Sequence, residues 1–120
     1  MATRSFICAE DDSGMICGVY CHFDGYPEHH APILKEYYNI FETVHELIDL
    51  GSLSCLDKTI ESCTAYHRDR GEELDVLEFD SQDGLKEVWD MLGVEFVYLF
   101  TIKDGWKMSS YSNKNFFTKI

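Results

Sequence analysis

Near its C-terminus the chain carries nine residues, Val94 to Ile102, that are dense in β-branched and aromatic side chains. Such a run fits a pleated, packed surface and fits an isolated helix poorly. Asp104-Gly105 follows, a dipeptide suited to a tight hairpin turn, and Trp106 to Tyr111 reads as the returning strand. A hairpin alone is marginal in water. This one therefore commits the chain to a sheet packed against other layers.

The N-terminal part repeats the signal. Residues 3–9 and 15–23 read as two strands around the turn Asp11-Asp12-Ser13-Gly14. In the second, Ile16, Gly18, Tyr20 and His22 share one face, while Cys17, Val19, Cys21 and Phe23 share the other. Asp24-Gly25-Tyr26-Pro27 marks the next turn. From Pro32, apolar residues recur at helical spacing through Ile33, Leu34, Tyr37, Ile40, Phe41, Val44, Leu47 and Ile48. The expectation is one amphipathic helix, kinked near Asn39, that stops at Gly51. Thr59 to Tyr66 alternates like a strand, His67 to Glu73 reads as a polar loop, and Val76 to Phe79 as a short strand. Ser81 suits an N-cap for a second helix whose core face is Leu85, Val88, Trp89 and Leu92, with Gly93 closing it. Phe116 and Phe117 are expected to pin the tail to the body.

These readings give the order ββ-α-β-β-α-ββ. The expected fold class is α+β: an antiparallel sheet built from hairpins, with two main helices packed on one face. The 120 residues fit a single domain, 1–120, large enough to be stable without metal or disulfide.

Charge narrows the partners. Twenty-two acidic and ten basic residues give a net charge of −12. That repels bare nucleic acid and anionic membranes, so the expectation is no direct nucleic-acid binding and no membrane association. The five cysteines, odd in number and with no leader-like apolar segment before them, point to free thiols in a reducing cytoplasm. Neutral or basic protein surfaces remain as partners, and the aromatics Tyr37, Tyr38, Phe116 and Phe117 read either as core or as the face of a homodimer.

Three segments hold the side chains from which a site could be built. The first, Tyr20 to His30, contains three of the five histidines; Cys17, Cys21, His22, His29 and His30 are the candidate metal ligands. Their spacing matches no zinc motif, and the competing reading is an aromatic-supported turn with exposed histidines. The expected cofactor set is empty. In the second segment, Arg68 and Arg70 are two of only three arginines in the chain. With Arg4 they offer a phosphate site, and Tyr20, Tyr26 and Tyr66, together with His22 and Asp24, offer stacking and hydrogen bonds to a nucleotide. The competing reading pairs those arginines with Asp69, Glu72 or Glu73.

The third segment is acidic. Glu72, Glu73, Asp75, Glu78, Asp80 and Asp83 fall within twelve residues, and Glu10, Asp11, Asp12, Glu42, Glu46 and Asp49 add to the field. Such a surface either imitates phosphates toward a basic groove or only solvates the fold. No P-loop, GxGxxG, GxSxG, HExxH or EF-hand spacing is present. The reading is a binding protein and not an enzyme.

The segment Tyr20-Cys21-His22-Phe23-Asp24-Gly25-Tyr26-Pro27 resembles a family of small proteins encoded by phages and prophages. Thr3-Arg4-Ser5, the stretch from Thr64 to Glu72 and the terminal hairpin Glu95 to Ser110 fit the same family. Members carry Trp where this chain has Phe23. The resemblance implies a phage origin and a bacterial host. Phage accessory proteins of this size often antagonise host defence. On that basis the expected function is stoichiometric block of a host nucleic-acid-handling or defence factor, in the manner of an anti-CRISPR. Glu72, Glu73, Asp75, Glu78 and Asp80 would contact its basic surface.

Overall fold

Phe6-Ile7-Cys8-Ala9 is an unbroken apolar run. In the computed structural model, which describes residues 2–120, it lies at the centre of an eight-stranded sheet. Strand β1 (Ser5–Glu10) pairs antiparallel with β2 (Ile16–Cys21) and parallel with β6 (Phe96–Thr101). Every residue from Ser5 to Ala9 is buried. A strand buried on both faces needs a layer over each, and both layers are present. Ile7 and Ala9, with Val19, Tyr98 and Phe100, meet α1 (Pro27–Tyr37) and α2 (Phe41–Asp49) through Ile33, Leu34, Val44, Leu47 and Ile48. On the opposite face Phe6 and Cys8, with Ile16, Val97 and Leu99, meet Leu85, Val88 and Trp89. These come from a 3₁₀ turn (Gln82–Glu87) that runs into a last helix, Val88–Leu92.

The α+β class stands, with two corrections. The sheet is mixed and not purely antiparallel, because β6 returns beside β1 in the same direction after a crossover. The helical segments cover both faces and not one. The unbroken runs Phe6 to Ala9 and Phe96 to Phe100 already carried this signal, since a half-exposed strand would alternate.

The strand order is β4-β3-β2-β1-β6-β7-β8, where β3 is Leu53–Cys55, β4 Thr64–Ala65, β7 Gly105–Ser110 and β8 Thr118–Lys119. Strand β5 (Leu77–Phe79) lies off this path, antiparallel to β2 along Ile16 to Gly18. Strand β3 takes the same side of β2 further on, at Cys21.

The local differences have local causes. The first helix starts at Pro27 and not at Pro32, which falls inside it and leaves one helical hydrogen bond unmade. The expected kink near Asn39 is a full break. The Trp106 indole donates to the Tyr38 carbonyl at 2.8 Å, and the buried Tyr38 hydroxyl donates to the Asp57 carbonyl at 2.7 Å. Tyr38 is thus core and not a dimer face. Of Thr59 to Tyr66 only Thr64–Ala65 is strand, since the Thr59 and Ser62 side chains close a turn on each other's backbone. The segment expected as a loop at His67 contains a short helix, α3 (Tyr66–Arg70). The closing helix Val88–Leu92 is then α4. Ser81 stands at the head of the 3₁₀ turn but makes no side-chain cap. Phe117 packs beside the Trp89 cluster, whereas Phe116 is 69% exposed and pins nothing. The five cysteines are free, and among the described residues no helix is long and apolar enough to cross a membrane.

Candidate functional site

The Tyr20–Pro27 motif ties the open end of the sheet to α1. His22 and Phe23 continue beyond β2 by donating their backbone N–H groups to Leu53 and Ser54. Asp24 then takes a left-handed backbone (φ 59°), and Gly25 turns the chain over the start of β1. The Gly25 N–H donates to the Thr3 carbonyl at 2.8 Å, and its carbonyl accepts the Tyr98 hydroxyl at 2.6 Å. A Cβ on Gly25 would lie 2.7 Å from Ser5 Cβ and 2.8 Å from the Thr3 oxygen, so only glycine fits. Beneath this turn Ser5 Oγ is 3.1 Å from His30 Nε2, and His30 Nδ1 is 3.0 Å from His29 Nδ1. Burial, then the neighbouring His29 charge, pushes His30 down to about 3. Burial also raises the Tyr98 hydroxyl, with the charges of Glu28 and Cys21 adding to it.

Serine, histidine and a second histidine in this order have the connectivity of a nucleophile, its base and an orienting group. Ser5 and His30 are each 0% exposed, however, so no substrate reaches Ser5 Oγ in this conformation. What the chain of bonds does here is satisfy buried polar atoms while locking α1 onto β1.

The metal-ligand candidates are dispersed. His22 Nδ1 pairs with the Tyr20 hydroxyl at 2.6 Å on one face of β2. Cys17 and Cys21 belong to the other face, as the alternation predicts. The Cys21 thiol, pushed up to about 12 by burial first, donates to the Phe23 carbonyl. Among the described residues no group of three or more His, Cys, Asp or Glu is placed to hold a metal ion.

The nucleotide set comes apart in a different way. Arg68 donates to the carbonyls of Ile60 (2.8 Å) and Cys63 (2.6 Å) and to both carboxylate oxygens of Asp69. It staples the Thr59–Cys63 turn to α3, and its fork is already occupied. The bond to Asp69 raises Arg68 and lowers Asp69. Arg70 stands over the Tyr66 ring, 5.1 Å from its centroid. Arg4, Tyr20 and His22 do meet: burial raises the Tyr20 hydroxyl, and the Arg4 charge beside it acts in the opposite direction. Arg4 lines an open depression of about 470 Å³ with Trp89 and Tyr111, but Asp90 and Glu95 line it too. Two carboxylates beside one guanidinium suit a phosphate poorly. Asp24 and Tyr26 form a separate pair, in which the Asp24 charge raises the Tyr26 hydroxyl.

The acidic candidates do come together. Glu72, Glu73, Asp75, Glu78 and Asp80 are all exposed along one extended run that leads into β5 and past it. The ion pairs among the described residues engage Asp49, Asp69, Asp83 and Asp104 and none of these five. The first three of the five line a shallow polar depression of about 440 Å³ with Leu74. Around Cys17, which pairs with Glu78, burial and then the charges of Glu78, Asp11 and Asp49 push the thiol up. The Gln82 amide donates to the Glu10 carboxylate at 3.0 Å, which brings the head of the 3₁₀ turn against the end of β1. In the β6–β7 turn the Lys107 ammonium, 3.0 Å from Asp104, holds that carboxyl low, and the charges of Lys103 and Lys119 add to it. The run Glu72–Asp80, five carboxylates in nine residues, leads into β5 and past it.

Fold and site together define a class: an α+β protein with an acid-rich, open sheet edge. Searches against protein-family models, curated proteins and solved structures return no match.

Proposed function

We propose that the chain is a phage-type accessory binding protein that blocks a host nucleic-acid-handling or defence factor by stoichiometric contact. The observation that carries this reading is the exposed row Glu72, Glu73, Asp75, Glu78 and Asp80, none of them in an ion pair among the described residues. Five carboxylates in nine residues of extended chain give a dense line of negative charge. A groove built from Lys and Arg to follow a phosphate backbone is complementary to it. The net charge of −12 adds long-range steering toward such a groove and away from nucleic acid itself. The reading places the protein in the cytoplasm of a bacterial host, where its thiols stay reduced.

The experiment is a pull-down from nuclease-treated bacterial lysate, comparing the tagged protein with its E72Q/E73Q/D75N/E78Q/D80N variant. A partner that is captured at about 50 mM salt, released toward about 500 mM and lost with the variant supports the reading. A partner retained equally by both proteins at both salts refutes it.

A further inference from the structure

Beyond its charge, the β5 side of the sheet has an unpaired main chain. Strand β5 hydrogen-bonds to β2 on one side only, and no strand flanks its other side among the described residues. The approach to it is barer still. Among the described residues no backbone group of Glu73, Leu74, Asp75 or Val76 has a hydrogen-bond partner. The segment is nevertheless held in place. The Leu74 side chain and the Asp75 backbone lie against Gly51, where a Cβ would meet Leu74 Cδ1 at 2.8 Å. Val76 packs on the α1–α2 side of the sheet, and Leu77 and Phe79 on the α4 side. The result is an ordered, exposed edge of about eight residues, Glu73 to Asp80, roughly 26 Å long if fully extended.

An open edge is a template for another strand, and proteins guard such edges with charge. Here the guard is of one sign. Glu73, Asp75, Glu78 and Asp80 stand along the edge, and the Asp11 and Asp49 charges act, with that of Glu78, on Cys17, the residue of β2 that pairs with Glu78. That arrangement repels a second copy of this chain, which brings its own net charge of −12. It attracts an extended segment rich in Lys or Arg.

We propose that the partner's basic segment adds to the sheet as a strand along Glu73–Asp80. Main-chain hydrogen bonds to the edge would provide affinity, and carboxylate–lysine or carboxylate–arginine pairs would set register and specificity. This rests on the acidic-edge function proposed above and adds to it the form of the partner's contacting element: an extended basic strand of that Lys- and Arg-rich surface.

The test uses a blocked ten-residue peptide of alternating Val and Lys, with its N-methylated twin, in which alternate amides cannot donate. Amide chemical shifts and hydrogen exchange of the labelled full chain are the readouts. The expected result is perturbation and slowed exchange confined to Leu74–Asp80 and the facing residues of β2. N-methylation should weaken binding at least about tenfold, since two or more main-chain bonds are lost. E78K/D80K, which reverses charge at exposed positions, should abolish it.

Equal affinity for the two peptides would overturn strand addition while leaving the electrostatic reading standing. Perturbation that maps elsewhere, or no binding at all, would also overturn it, and the lysate experiment then judges the function separately. Concentration-dependent shifts at the same amides without peptide would assign the edge to a second copy and overturn the basic-strand proposal.

Discussion

His30 makes the stability of this protein depend on pH above the range in which the lowered carboxyls of Asp11, Asp69 and Asp104 act. The unfolded chain binds a proton on this imidazole near 6.5, whereas in the folded protein burial holds it down to about 3. Stability from this residue is therefore complete above 6.5 and is lost progressively as the pH falls toward 3. The slope is about 1.4 kcal/mol per pH unit, so acidifying from about pH 7.5 to about pH 5 removes about 2 kcal/mol. Asp11, Asp69 and Asp104, whose carboxyls are lowered from an ordinary 3.8, give up their contributions only at more acid pH. The assay is urea unfolding at both pH values for the natural chain and for His30→Gln, which keeps a polar atom near Ser5 and cannot titrate. His22, His45 and His67 are common to both proteins and are not bonded to His30, unlike His29, whose ring meets it at 3.0 Å. With a slope of about 1–3 kcal/mol/M for a domain of this size, the midpoint of the natural chain should fall by roughly 1 M more than that of the variant. Parallel losses in the two proteins would refute the argument, because His30 would then be charging freely in the fold.

Gly25→Ala should cost about 1–3 kcal/mol by overpacking, since the Thr3 carbonyl and the body of Ser5 have no room to move; thermal unfolding checks it, and an unchanged midpoint would mean the turn is looser than its contacts indicate. Arg68→Ala should lower stability by about 1 kcal/mol, discounted for its solvated outer side, and more than Arg70→Ala. Neither arginine variant should alter binding at the acidic edge, which a titration with the basic peptide reads directly.

How much of this was legible follows from the range over which each signal acts. The two hairpins at the chain ends and the apolar stripe of α2 are local patterns and appear where the sequence places them. Strands of three and two residues, Leu53–Cys55 and Thr64–Ala65, are too short for a period of two to register. The parallel pairing of β1 with β6 joins segments some ninety residues apart, and no local pattern encodes it. At the candidate site the carboxylates were readable because charge stays outside unless paired. The occupation of Arg68 depended on where the Ile60 and Cys63 carbonyls would turn. The sealing of His30 depended on a glycine turn closing over a distant serine.

The β1–β6 pairing also bears on how the chain is born. Ser5 meets Phe96, so on a ribosome adding roughly 5–20 residues per second the first strand waits about 5–20 seconds for its central neighbour. During that interval Phe6 and Cys8 lack Val97, Leu99 and all of α4, and the N-terminal hairpin is a sticky fragment with one whole face bare. An early acidic stretch, Glu10-Asp11-Asp12 at the tip of that hairpin, is well placed to keep nascent copies on neighbouring ribosomes apart.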